Sequence, residues 1–161
     1  SFGFRAVISV TGEFLDKERN ATCRNNFYSM LKYSELKQMT DSGIFEVQNH
    51  CYNFHHIRNG RVGIKNKPNE DLQQYVQLLK ADTIAMQNKI KQMTGKVARC
   101  YTYPYGMYSS VTVNALKELG FECMMTCQEG VNFVSKTSSL FYLKRLERSD
   151  TKPLSAMLRN L

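Results

Sequence analysis

Apolar residues in this chain form short β-branched or alternating runs that are separated by longer stretches in which they recur three or four positions apart. The short runs predict strands and the longer stretches predict helices with one buried face. The predicted strands are 5–10, 44–49, 97–103, 121–127 and 140–146. The predicted helices are one capped by Ser34, one capped by Asn69 and ended by Gly95, one from Ser109 or Ser110 to Leu119, and one over 154–161 behind Pro153.

Two long stretches carry no clear periodicity. Residues 11–26 are polar and are predicted as a loop, and residues 51–68 form a second predicted loop that follows the strand 44–49. Repeated strand-then-helix units predict an α/β fold with a parallel sheet or barrel, whose sites lie at the C-terminal ends of the strands. We therefore expect functional residues at 50 and beyond, and again just after the strand 97–103.

Length and composition are those of one globular domain that spans residues 1–161. The chain has a mass of 18.6 kDa, and 42% of its residues are hydrophobic. No apolar run approaches the length of a membrane span. The formal net charge is +8, but the lysines and arginines are scattered and no nucleic-acid-binding motif accompanies them. We therefore expect no nucleic-acid partner, and a basic module that binds anionic polymers is the least favoured function.

Five cysteines, at positions 23, 51, 100, 123 and 127, form neither a zinc-binding CxxC pair nor a complete set of disulfides. Cys123 and Cys127 lie at an even spacing on a predicted strand, so they face the same side but are too far apart to bridge. They are predicted to be thiols of the core.

All three histidines of the chain lie between residues 50 and 56. His50 follows the strand 44–49 directly, and His55 comes five residues later in the loop. Two neutral imidazoles in this arrangement can point at one metal ion. The alternative is that His50 ends a buried strand while His55 and His56 are solvated loop residues, because two ligands alone do not make a metal site.

A second motif, Pro104-Tyr105-Gly106, follows the strand 97–103. The two motifs together resemble the polysaccharide deacetylase (NodB-homology) family, which has a His-Ser/Thr-x-x-His strand end, or a variant with one more spacer, and later a Pro-Tyr/Phe-Gly loop. His50 and His55 match the longer variant, with Cys51 in place of the hydroxyl residue. The resemblance continues through 36–43 and 116–121, so it covers most of the chain. It implies a distorted (β/α) barrel of the NodB-homology type.

The resemblance also implies a function. Members of the family are metal-dependent hydrolases that remove N- or O-acetyl groups from glycans of the polysaccharide or peptidoglycan type, mostly outside the bacterial cell membrane. In this chain His50 and His55 would bind a divalent metal, expected to be zinc, and the backbone N–H of Tyr105 would bind the oxyanion. An extracellular or cell-surface location is therefore expected. The predicted substrate contacts are Tyr103, Pro104 and Arg61.

The chain departs from the family pattern at both ends. The family's Asp-Asp motif supplies the third metal ligand and the catalytic base just before a segment like residues 2–7, where this sequence begins. We therefore expect a domain without its first strand, third ligand and base. The family's late histidine, the general acid, is also absent, since the corresponding segment offers only Arg145, which cannot transfer a proton near neutral pH.

These departures keep a second function open, which is a catalytically impaired glycan-binding or scaffold relative of the deacetylase fold. Such a protein would still stack sugars on aromatic side chains. A missing first strand would also leave an open edge beside residues 5–10 and predicts a homodimer through that edge. The candidate aromatic residues are Tyr52, Phe54, Tyr103 and Tyr105.

Overall fold

A computed structural model describes residues 3–19, 22, 25, 27, 29–147 and 153 of the chain. The helices and strands alternate along most of this length. In chain order they are β1 (Ala6–Thr11), α1 (Gly12–Glu18), α2 (Tyr33–Asp41), β2 (Phe45–Cys51), β3 (Ile57–Arg58), β4 (Arg61–Val62), α3 (Leu72–Thr94), β5 (Cys100–Thr102), α4 (Ser110–Glu118), β6 (Cys123–Glu129) and β7 (Leu143–Arg145). A single 3-10 turn, Pro104–Gly106, follows β5.

The main sheet has five parallel strands in the order β1-β2-β5-β6-β7. Each parallel pairing needs a crossover, and α2, α3 and α4 supply those that connect β1 to β2, β2 to β5 and β5 to β6. Strands β3 and β4 form a separate antiparallel hairpin. The predicted α/β class is confirmed. Within the described residues the sheet is open, with β1 and β7 at its edges, and it does not close into a barrel.

Helix α3 covers one face of the sheet and contributes much of the core. Tyr75, Leu79, Met86 and Ile90 have no exposed surface, which confirms most of the buried face that their spacing predicts. Burial of each such side chain contributes roughly 2 kcal/mol to folding. Leu72, the first residue of the helix, is 47% exposed although it falls on the same spacing.

Several helix boundaries differ from the prediction. The predicted loop 11–26 contains α1, whose seven residues bury only Gly12 and Leu15 and therefore show no apolar periodicity. Helix α2 begins at Tyr33, one residue before the predicted cap. The cap of α3 is Asp71, which accepts a hydrogen bond from the Gln74 N–H at 2.9 Å. Gly95 (φ +72°) ends α3 as predicted, and Ser109 caps α4.

The prediction that Cys123 and Cys127 are thiols of the core is wrong for Cys127. Cys51 and Cys100 are buried, but Cys123 is half-buried and Cys127 is exposed. Strand β6 extends to Glu129, and its last three residues, which begin with Cys127, are exposed. Cys23 and the predicted helix 154–161 lie outside the described residues. In the part of the chain that the structure describes, none of the helices has the length and apolar character required to cross a membrane.

Candidate active site

Residues from several parallel strands line a cleft of about 640 Å³. Side chains alternate between the two faces of a strand, and Asn49 of β2 points towards α3, where its Nδ2 donates to the Thr83 carbonyl at 3.2 Å. His50, the next residue, therefore points to the opposite face and lines the cleft. The lining also includes Thr102 of β5 and Arg145 of β7.

A hydrogen bond fixes the orientation of His50. Its Nδ1 lies 2.5 Å from the carbonyl oxygen of Thr102. Because a carbonyl oxygen only accepts, Nδ1 carries the proton and Nε2 keeps its lone pair. Burial lowers the pKa of His50 to about 4, against the bond to Thr102, which raises it, while His55 and Arg145 lower it further. The imidazole is therefore neutral near pH 7, which is the form that binds metals.

His55 lies beside His50 in the loop that follows β2. Their ring centroids are 5.0 Å apart. Two imidazoles that share one tetrahedral zinc ion at about 2.1 Å would place their ring centroids roughly 5 Å apart. The distance between the two rings therefore fits a shared metal ion. His56 points elsewhere, with its ring against Phe54 at 6.1 Å.

The loop that carries His55 is held by Asp82 of α3. The carboxylate of Asp82 accepts the backbone N–H of Tyr52 at 2.8 Å and that of Asn53 at 2.7 Å. Burial raises the pKa of Asp82, and the two backbone hydrogen bonds lower it in part. Asp82 thus sets the course of the chain between the two histidines without touching either.

The described residues bring together two candidate metal ligands and no third. None of them form a group of three or more histidine, cysteine, aspartate or glutamate side chains that could hold a metal ion. The cleft lining in this part of the chain also contains no carboxylate. The histidine pair thus fits a metal, while the aspartate that the family resemblance requires is not found among the described residues.

Tyr105 brings the second sequence motif to the histidine pair. Its ring centroid is 4.5 Å from that of His55. Its backbone has φ +56°, in the left-handed region that non-glycine residues rarely adopt and that often marks functional sites. The Tyr105 N–H donates to no acceptor among the described residues, whereas Gly106 and Met107 donate back to Tyr103 and Pro104. An unpaired N–H in a fixed turn is suited to bind an oxyanion.

Two glycines hold this turn between the hairpin and β6. A Cβ on Gly63 (φ +57°) would lie 2.5 Å from the carbonyl oxygen of Pro104. A Cβ on Gly106 would lie 2.7 Å from the Cβ of Cys127. Gly106 thus allows the turn to approach β6 closely.

Of the three predicted substrate contacts, Tyr103 is in the cleft lining, whereas Pro104 and Arg61 are not. Tyr103 has no exposed area, and its hydroxyl donates to the Phe141 carbonyl at 3.0 Å. A contact of this residue with a sugar stays a prediction. Pro104 is also buried. The guanidinium of Arg61 pairs with Glu70 and has no place in the cleft lining. The structure thus brings His50, His55 and Tyr105 together. Tyr103 lies in the same lining, whereas Pro104 and Arg61 lie outside it.

Of the aromatic residues considered for sugar stacking, Tyr103 and Tyr105 are in the cleft lining. Tyr103 is buried, whereas 41% of the surface of Tyr105 is exposed. The Tyr52 hydroxyl instead donates to Asp16 at 2.6 Å. Phe54 packs against Arg61, with the guanidinium 5.4 Å from the ring centroid.

Sequence reasoning considered Arg145 only as a residue that cannot act as an acid. In the structure it lines the cleft, and its Nε donates to the Thr126 carbonyl at 2.7 Å. Its position at the end of β7 was the available signal, because the C-terminal ends of parallel strands converge at one edge of the sheet.

The chain matches a family of known proteins. The sequence model of the family described as polysaccharide deacetylase matches residues 2–124. The BpsB deacetylase domain from Bordetella bronchiseptica has a similar structure, with a TM-score of 0.73 and 21% identity over 90% of this chain and 61% of that one. A de-N-acetylase from Aggregatibacter actinomycetemcomitans gives a TM-score of 0.73 and 22% identity over 95% of this chain and 63% of that one. The chain thus spans about three fifths of both structures. No curated protein sequence matches it.

Proposed function

The chain belongs to the polysaccharide deacetylase family, and from this premise we propose that it is a metal-dependent hydrolase that removes acetyl groups from a glycan. The substrate is an N- or O-acetylated polysaccharide or peptidoglycan-type glycan. The observation that carries the proposal is the cluster of His50, His55 and the unpaired Tyr105 N–H in one cleft.

Each of these residues has a separate task. His50, through Nε2, and His55 would hold the metal, for which zinc is the natural choice with imidazole ligands. A metal ion bound there supplies Lewis-acid chemistry, which polarises the acetyl carbonyl and activates water. The Thr102 carbonyl keeps the His50 ring in the required orientation.

The Tyr105 N–H donates to the oxygen that becomes negative when the acetyl carbon turns tetrahedral. A single donor of this kind contributes roughly 3 kcal/mol to transition-state stabilisation in comparable sites. The φ of +56° at Tyr105 and the packing of Gly63 and Gly106 hold this N–H in one direction before substrate arrives. A donor fixed in this way costs no reorganisation during the reaction.

A glycan-binding relative without activity is the second candidate. It is favoured by one observation, which is that the described lining of the cleft contains no carboxylate to act as third ligand or base. In that case the exposed ring of Tyr105 would still offer a stacking surface for a sugar.

Zinc titration by calorimetry separates the two candidates. The hydrolase should bind zinc with a micromolar or lower Kd, His50→Ala should abolish binding, and His56→Ala should retain it because His56 lies outside the pair. Release of acetate from an acetylated oligosaccharide should then depend on zinc and on His50. A folded chain that binds oligosaccharide but no zinc would refute the hydrolase and support the glycan-binding relative.

The proposal has two further parts, a location and an oligomeric state. An extracellular or cell-surface location accompanies the proposed substrate. A homodimer through the exposed edge of β1, where Val7 is 53% exposed, remains a prediction that analytical ultracentrifugation checks.

A further inference from the structure

Cys100 and Cys123 lie directly opposite each other on two neighbouring strands of the main sheet. They are partners in the parallel register of β5 and β6, which also pairs Thr102 with Met125. Neighbouring strands are about 4.8 Å apart, so the Cα atoms of partners in register are separated by roughly that distance. Disulfides join cysteines whose Cα atoms are about 4.4–6.8 Å apart. The backbone thus places these two cysteines within the range that a disulfide spans.

The two thiols also point to the same face of the sheet. Side chains alternate along a strand, and Thr102 and Met125, two residues further along their strands, both line the cleft. Cys100 and Cys123 therefore lie on the face that carries the cleft, but nearer to the N-terminal ends of the strands and outside the cleft lining. Burial raises the pKa of the Cys100 thiol, and its hydrogen bond with the Cys123 side chain raises it further, so the two thiols are in contact.

Backbone contacts hold the pair in this arrangement. The Cys100 N–H donates to the side-chain oxygen of Gln48 at 2.7 Å, and the Cys123 N–H donates to the Arg99 carbonyl at 3.4 Å. Cys100 is 7% exposed, whereas Cys123 is half-buried. A reagent from solution therefore reaches the Cys123 thiol first.

We propose that Cys100 and Cys123 form a modification site at which a low-molecular-weight disulfide, such as oxidised glutathione, closes a disulfide bond between β5 and β6. In the first step the Cys123 thiolate attacks one sulfur of the reagent, whose S–S bond breaks and releases one small thiol. In the second step the Cys100 thiolate attacks the Cys123 sulfur of the mixed disulfide and releases the second small thiol. The two cysteines lose two electrons and two protons, and the reagent takes up both. The second step is the slower one, because burial raises the pKa of the Cys100 thiol and keeps it mostly protonated.

The spacing of the two strands makes this bond reversible. Side chains stand roughly perpendicular to a sheet, so the Cβ atoms of partners in register are also about 4.8 Å apart, whereas a disulfide favours about 3.8 Å. Closure must therefore draw β5 and β6 together locally. A bond formed under such strain is reduced more easily than an unstrained one. We expect dithiothreitol to reopen it.

Peptide mapping of the full chain after incubation with oxidised glutathione tests the proposal. Trypsin cleaves after lysine and arginine, which places Cys100 in peptide 100–117 and Cys123 in peptide 118–136. The monomer is isolated by non-reducing electrophoresis, so that any bond found lies within one chain. Mass spectrometry without reduction should show the two peptides joined, at a mass lower than their sum by two hydrogen atoms. Dithiothreitol should separate them.

Three single variants identify the sulfurs and the order of the steps. Peptide 118–136 also contains Cys127, and Cys127→Ser, the matched control on the same strand, should give the same joined peptides. Cys100→Ser cannot complete the second step, so its Cys123 should keep one glutathione. Cys123→Ser should leave Cys100 as a free thiol, because the buried sulfur is not reached directly.

The native chain alone is sufficient to refute the proposal if a variant does not fold. Peptides that stay separate after oxidation of the native chain would overturn it, and so would joined peptides that disappear in Cys127→Ser. The measurement involves no metal and no glycan, so its outcome is independent of the proposed function.

Discussion

Replacement of Gly63 by alanine tests whether the end of the β3–β4 hairpin holds the Pro104–Gly106 turn in place. The new Cβ would lie 2.5 Å from the Pro104 carbonyl oxygen. A backbone oxygen cannot rotate away as the end of a flexible side chain can, so either the hairpin or the turn must move. Movement of the turn would redirect the Tyr105 N–H.

The expected loss of stability has two parts. Alanine in the left-handed region (φ +57°) costs about 1 kcal/mol relative to glycine. Overpacking against a rigid neighbour adds roughly 1–3 kcal/mol. We therefore expect Gly63→Ala to lower the free energy of unfolding by about 2–4 kcal/mol.

Gly60→Ala is the control in the same hairpin. Its φ of +73° is also left-handed, but the nearest atom to a new Cβ is a Lys67 side-chain carbon at 3.9 Å. It should therefore show only the backbone part of the cost, about 1 kcal/mol. Urea denaturation followed by circular dichroism measures both variants. If their unfolding free energies agree within about 0.5 kcal/mol, the hairpin does not hold the turn as argued.

Three other substitutions can be tested by the same denaturation assay or by an activity assay. Glu70→Gln leaves the buried guanidinium of Arg61 without a countercharge and should cost about 3–5 kcal/mol, whereas Glu118→Gln breaks an exposed pair and should cost at most about 1 kcal/mol. Burial raises the pKa of Asp82, so the folded chain holds this proton more tightly than the unfolded chain does. The contribution of Asp82 to the free energy of unfolding should therefore be greatest below pH 3.8 and should decrease as the pH rises through the pKa of the folded chain. Denaturation at a series of pH values measures this dependence, which should be absent in Asp82→Asn. Gly106→Ala should lower zinc-dependent acetate release roughly a hundredfold by displacing the turn from β6, and unchanged release would refute the role of this packing.

Local patterns were sufficient for those parts of the fold that depend on neighbours in sequence. The β-branched run of β1 and the helical spacing of Tyr75, Leu79, Met86 and Ile90 identified a strand and the buried face of α3. The glycine after α3 marked its end, because few other residues adopt the left-handed conformation there. Short elements such as α1 were missed, since seven residues with a single buried apolar side chain give no period to detect.

The sequence by itself determined that His50 ends a strand, that His55 follows in its loop and that Tyr105 lies in a tight turn after another strand. These facts depend on spacing along one segment. Only the tertiary structure decided that β2 lies beside β5, so that the Thr102 carbonyl orients His50 and the Tyr105 ring reaches His55.

Tertiary structure also decided which of the predicted substrate contacts are buried and which charged side chains form no ion pair. The Tyr103 hydroxyl donates to the Phe141 carbonyl, and the Arg61 guanidinium pairs with Glu70. The cleft lining around Arg145 contains no carboxylate among the described residues. Partners of this kind lie 9 to 38 residues away along the chain, at separations where spacing carries no information about contact. Strand order and helix packing set these contacts, and for that reason they could be found only from the folded chain.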